Sequence, residues 1–359
     1  MQYAELHTLR EILPGISSRA DRLDQSGDWP QEDLRILATI GAMRWSVPLE
    51  FGGEDLSPIE LHFRYETIAS ASLTTALILT QRDSAISLLA AAENSPLRSE
   101  LLPRLANNEI FTTVGIAQLT TSRQRGAPAL RATPIEGGYR LDGEIPWASG
   151  AAHADFIVAG AVLEDRRQIL FALPMNLSGV SAQPPLPLVA LRGSHTTSVV
   201  CENAKLDERQ ILNGPVEQAL SIRRKSLSIG QAFLATGLAS AALNLIAEID
   251  SDAARNTHAQ LQDQLIQVRG GILDFCNPAL QPNPAAGAAL RGQSIDLALR
   301  ATHAAVSLHK GTALLADHPA QRLAREAMFL LVWSCPSAVV DCTLDLLASA
   351  PSPSGRGLG

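Results

Sequence analysis

Gly137-Gly138-Tyr139-Arg140-Leu141-Asp142-Gly143-Glu144-Ile145-Pro146-Trp147-Ala148-Ser149-Gly150 is the stretch on which the reading of this chain turns. The paired glycines read as a turn, and the alternation of Tyr139, Arg140, Leu141 and Asp142 behind them is strand chemistry. Upstream, past Asn107-Asn108, residues 111–119 are β-branched and apolar. Downstream, residues 156–162, 168–173 and 198–201 repeat the strand signal between Gly, Pro and charged turns. Pro184-Pro185-Leu186-Pro187 must be a loop or a sheet edge, because proline cannot donate to a ladder. Residues 111–214 are therefore expected to form a β domain.

On both sides of this middle the period changes. Residues 1–110 read as an N-terminal helical domain: in 59–69 apolar residues recur at helical spacing through Ile59, Phe63 and Ile68, with Ser57-Pro58 as N-cap and first-turn proline. Residues 73–92 continue in the same manner. After Asn213-Gly214-Pro215 come long helical runs at about 217–250, 258–276, 286–316 and 319–349, lengths that suit a four-helix bundle over 215–349. The Ser/Pro/Gly-rich tail 350–359 is expected to be disordered. The fold class is mainly α with a central β domain.

Composition narrows the function. Hydrophobic residues make up 46% of the chain and aromatics only 4%, an Ala- and Leu-rich balance that favours helix. A net charge of -7 without a long basic block argues against a nucleic-acid partner; Arg223-Arg224-Lys225 is the local exception and reads as a solvated helix start. Four cysteines without CxxC spacing give neither a disulfide framework nor a zinc site, and fit a reducing cytoplasm. Residues 1–12 carry Glu5, Arg10 and Glu11 and do not read as a secretory signal. Residues 227–247 lack formal charge, but Ser228, Gln231, Thr236, Ser240 and Asn244 interrupt them, so a helix wrapped by other helices is expected and not a membrane span. No dinucleotide, phosphate-loop or metalloprotease motif occurs, and the scattered histidines show no metal spacing.

Four stretches, in order, resemble the acyl-CoA dehydrogenase superfamily. They are Val47-Pro48-Leu49-Glu50-Phe51-Gly52-Gly53; residues 116–120 with 138–150; Arg192-Gly193-Ser194-His195-Thr196-Thr197 running to Leu206; and Pro319-Ala320-Gln321-Arg322-Leu323-Ala324-Arg325-Glu326-Ala327. The resemblance implies helices, a β-barrel-like middle domain and a four-helix bundle, and a flavin-dependent oxidoreductase. Trp147 would lie on the isoalloxazine face and Ser149 would donate to N5, while Ala117, Leu119 and Thr120 would meet the pyrimidine edge. Gly311 matches a glycine that meets the adenosine half of FAD in a neighbouring subunit. Lys310 and Ala313 replace two others, which leaves FMN as an alternative to FAD. His195, Asp83 and Glu326 are the polar groups nearest these segments, each read first as a surface or ion-pair residue.

The resemblance also implies an acyl thioester substrate, of CoA or an acyl carrier protein, and a homodimer or homotetramer. Read without a gap from Arg325-Glu326-Ala327, however, the family's catalytic glutamate position holds Ser334, with Trp333 beside it. The family's second base position falls near Leu227, also not a carboxylate. A serine is too weak a base unaided. Trp147-Ala148-Ser149-Gly150-Ala151-Ala152-His153-Ala154 is similar to the flavin loop of monooxygenases on the same fold, a second reading. A non-catalytic flavin- or carrier-protein-binding member is the third.

Overall fold

The computed structural model describes residues 2–119, 128–222, 229–277, 279 and 283–349. These belong to two compact units, Met1–Ser226 and Leu227–Gly359. Thr120, Leu227, the basic triplet 223–225 and the tail 350–359 lie outside the described residues.

In the first unit five helices precede the sheet: α1 (Gln2–Ser26), α2 (Gln31–Thr39), α3 (Pro58–Ala69), α4 (Leu73–Ala91) and α5 (Ser95–Ala106). The start of α3 follows from three residues. The Ser57 hydroxyl accepts from the Glu60 amide, the Glu60 carboxylate accepts from the Ser57 amide, and Pro58 fills the first helical position. Before it, Gly52 takes φ 83°, and a Cβ on Gly53 would sit 1.8 Å from the Val47 carbonyl oxygen, so this turn closes only with glycine. One polar cluster is buried between helices: Tyr65 donates to Asp83 at 2.5 Å, and Arg82 donates to Asp83 and to the Met43 and Leu105 carbonyls. Paired in this way, Asp83 is a structural anchor for α4.

Eight strands follow: β1 (Thr112–Gly115), β2 (Leu130–Ile135), β3 (Gly138–Ala148), β4 (Phe156–Val162), β5 (Gln168–Pro174), β6 (Val180–Ala182), β7 (Thr197–Asp207) and β8 (Ile211–Val216). Their order is β6-β7-β3-β2-β4-β5-β8, with β1 parallel to β4. Successive side chains point to opposite faces, and both faces of β4 and β5 are covered, which explains why these strands are apolar at nearly every position. Val158, Leu170 and Ala172 pack with the helix residues Ile86, Leu89 and Leu102, while Ile157, Ala159, Ile169 and Phe171 pack with Leu141, Ile145 and Val199 on the other face. The strand expected at 111–119 is only four residues long; Ala117–Leu119 instead form a tight single turn, braced by the Gln118 amide donating to the Gly115 and Gly160 carbonyls.

The second unit consists of α6 (Gly230–Ala247), α7 (Asp252–Cys276), α8 (Pro284–His309), α9 (Pro319–Leu330) and α10 (Ser337–Ala348). All four helical runs differ from the sequence expectation, the second because α7 already begins at Asp252. The first begins only at Gly230, since β8 carries sheet to Val216. The third stops at His309, after which Lys310 takes φ 57° and residues 310–314 form a tighter turn. The run 319–349 is two helices. It breaks where Ser334 takes φ 53° and Pro336, which has no amide hydrogen, precedes α10. Among the described residues, α6 is the one helix long and apolar enough to cross a bilayer, and 67% of it is buried in the protein.

Candidate functional site

Both candidate constellations form where a regular element is interrupted. In β3 the pairing with β7 shifts register between Ile145 and Ala148, and Trp147 adopts φ 58°. This bulge turns the indole outward: Trp147 is 53% exposed, while Ile145, Ala148 and Ala151 around it are fully buried. Two residues on, Ser149 is buried at 8% exposure. Its carbonyl accepts from the Thr113 hydroxyl at 2.7 Å, and the next amide, Gly150, donates to the Ser194 carbonyl at 2.9 Å. The backbone here is thus tied to β1 on one side and to the turn before β7 on the other.

Side chains continue the network. The Ser149 and Thr196 hydroxyls are 2.7 Å apart, and Thr196 and Ser194 are 2.8 Å apart. Next to this, His153 Nε2 lies 2.8 Å from His195 Nδ1, and His195 Nε2 lies 2.9 Å from the Gly27 carbonyl oxygen. A carbonyl only accepts, so neutral His195 carries its proton on Nε2. His153 then donates through its own Nε2 and keeps a lone pair on Nδ1. Trp29 stacks on His153 with ring centres 4.1 Å apart and would lie 2.7 Å from a Cβ on Gly150, whose φ of 70° is a glycine conformation. Burial, and then the neighbouring His195, hold the His153 pKa below the usual imidazole value. Cys201, inside the sheet, is pushed up to about 12 by burial and by Asp142, and is not a nucleophile.

In the second unit the turn after α9 is held through its carbonyls. Gln231 donates to the Leu330 and Trp333 carbonyls at 2.8 and 2.6 Å. Arg291 donates to Gln231 Oε1 and to the Ser334 carbonyl. Burial lowers the Arg291 pKa. Ser334 itself is exposed, and Trp333 stacks on Phe329. Glu326 is buried in an ion pair with Arg322 at 3.1 Å. Gly311 lies in the tight turn after α8, open around its Cα. No group of three metal-binding side chains occurs among the described residues.

Of the residues singled out from sequence, Trp147 lies in the β3 bulge and Ser149 directly follows the strand, with Ala117 and Leu119 on the turn after β1 of the same sheet unit. Ser334, Trp333 and Gly311 belong to the other unit. Trp29 and Thr113 join the site without any motif that marks them. Trp29 is an isolated tryptophan far upstream of Trp147, and nothing local flags it. Ser194 and Thr196, two residues apart ahead of a strand, carry a readable alternation.

Residues 9–109 match the family model for the acyl-CoA dehydrogenase N-terminal domain. A probable acyl-CoA dehydrogenase of Bacillus subtilis is 22% identical over 341 residues, covering 88% of this chain and 89% of that protein. The oxygenase component of p-hydroxyphenylacetate 3-hydroxylase from Acinetobacter baumannii is 28% identical over 155 residues, 43% of this chain and 34% of that protein. Among solved structures, a glutaryl-CoA dehydrogenase from Mycobacterium smegmatis in complex with FADH2 superposes with a TM-score of 0.81 at 17% identity, covering 97% of this chain and 94% of that one. Residues 9–109 are thus similar in sequence to the acyl-CoA dehydrogenase N-terminal domain, and the chain shares its fold with the solved acyl-CoA dehydrogenases.

Proposed function

We propose that the chain is a flavin-dependent oxidoreductase that holds FAD against the 147–150 loop and oxidises an acyl thioester of CoA or a carrier protein. The observation that carries this is the bulge in β3, which exposes the Trp147 indole beside the buried Ser149 hydroxyl. An outward-facing indole next to a directed hydroxyl suits a ligand with an apolar ring face and a polar edge. A bound flavin would supply two-electron chemistry at N5. Trp147 would pack on the ring, Ser149 would donate to N5, and Ala117 and Leu119 would meet the pyrimidine edge. Gly311 would meet the adenosine half from a neighbouring subunit of a homodimer or homotetramer. The FADH2 complex of the Mycobacterium smegmatis relative supports FAD over FMN.

In this reading Ser334 occupies the position of the usual catalytic glutamate, and proton removal falls to another pocket group or to the substrate. The flavin monooxygenase reading is favoured by one specific observation, His153 four residues after Ser149 in a loop similar to that of such enzymes, and by the match to the Acinetobacter oxygenase.

Anaerobic mixing of the FAD-loaded protein with a panel of acyl thioesters, followed by flavin absorbance, tests these. Bleaching by a thioester supports oxidation of that substrate. Bleaching only with NAD(P)H or reduced flavin, followed by an oxygen-dependent product, transfers the assignment to oxygenation. A protein that takes up no FAD sinks both.

A further inference from the structure

The three hydroxyls of Ser194, Thr196 and Ser149 form a linear chain with two hydrogen bonds, 2.8 and 2.7 Å long. All three side chains are buried, Ser194 completely. Thr196 has one proton and can give it to only one neighbour. If it gives it to Ser194, Ser149 must donate to Thr196, and the Ser194 proton is left buried with no acceptor among the described residues. If it gives it to Ser149, Ser194 donates to Thr196 and no internal proton is stranded. A buried donor without an acceptor is costly, so the second arrangement prevails. The backbone carrying these oxygens is fixed independently by Thr113 on the Ser149 carbonyl and by the Gly150 amide on the Ser194 carbonyl.

We propose that Thr196 and Ser194 are positioning residues that commit the Ser149 hydroxyl to donating out of the chain. The inference rests on the flavin reading, in which the acceptor is N5 of the oxidised ring. On reduction that nitrogen gains a hydrogen, and the committed Ser149 cannot turn to accept it without stranding the Ser194 proton. The chain therefore favours the oxidised ring.

The test uses the FAD-loaded full chain and measures the flavin midpoint potential and visible spectrum of wild type, Thr196→Val and Thr196→Ser. Thr196→Val removes the proton that holds Ser149 as a donor and so weakens its hydrogen bond to the oxidised ring. It should move the two-electron equilibrium toward reduction by up to about tenfold, about 30 mV more positive. Thr196→Ser keeps the hydroxyl and should match wild type. Thr196→Ala carries the same expectation as the valine variant and serves if that variant misfolds. Variants that bind FAD with an unchanged potential overturn the positioning role and leave the flavin reading standing. A wild-type chain that binds no FAD overturns the flavin reading itself.

Discussion

In the loop 147–154 side chains hold other side chains: hydroxyl to hydroxyl, imidazole to imidazole, indole on imidazole. In the turn between α9 and α10 side chains hold backbone, with Gln231 and Arg291 gripping the carbonyls of Leu330, Trp333 and Ser334. The first arrangement orients functional groups and sets their protons. The second fixes where the chain goes and leaves Ser334 exposed. A network of the first kind is sensitive to pH and to single hydroxyls, whereas one of the second kind responds to loss of its donors.

The largest effect expected from this contrast is in the turn. Arg291→Met strands Gln231 Oε1 and the Ser334 carbonyl and should cost about 3 kcal/mol in urea unfolding. A loss under about 1 kcal/mol would mean that the turn holds without its donors. Gly150→Ala places a Cβ against Trp29 in a left-handed conformation and should cost about 2 kcal/mol, with loss of the Trp29–His153 stack visible in tryptophan fluorescence.

A smaller effect depends on pH. Because the folded His153 pKa is lowered, the unfolded chain takes up its proton first as pH falls. Stability is complete above about pH 6.5 and declines from there as pH drops toward the lowered folded value. His62 is lowered by burial too, so His153→Gln should flatten part of the acid-side fall in Tm and leave the rest. An identical acid limb in the variant would separate His153 from the pH response. The smallest effect, and of opposite sign, is Ser334→Gly: it relieves φ 53° at an exposed site and should stabilise by at most about 1 kcal/mol in the same urea assay.

Much of the fold is readable in the chain because it follows from local rules. The alternation in 139–142, the Ser57-Pro58 start and the apolar runs of β4 and β5 each have a cause within a few residues. The break inside 319–349 is harder to read, since Ser334 and Pro336 interrupt a run that is otherwise helical in period. In the candidate site, Trp147 and Ser149 stand out through their motif, but the partners that orient them do not. Trp29, Thr113 and Thr196 lie tens of residues away from Ser149 or His153 along the chain.

Local sequence is enough to set the order of helices, sheet and helices, the closed glycine turn at 52–53, and the lack of a carboxylate at position 334, because periodicity, backbone restriction and residue identity act within a few positions. It takes the folded arrangement to turn Trp147 outward at a register shift, to place Ser149 at the end of a directed chain of hydroxyls, and to lower the His153 pKa through burial and His195. Those outcomes depend on which groups of distant strands and loops come within hydrogen-bonding distance, and burial then sets the cost of every proton left without a partner.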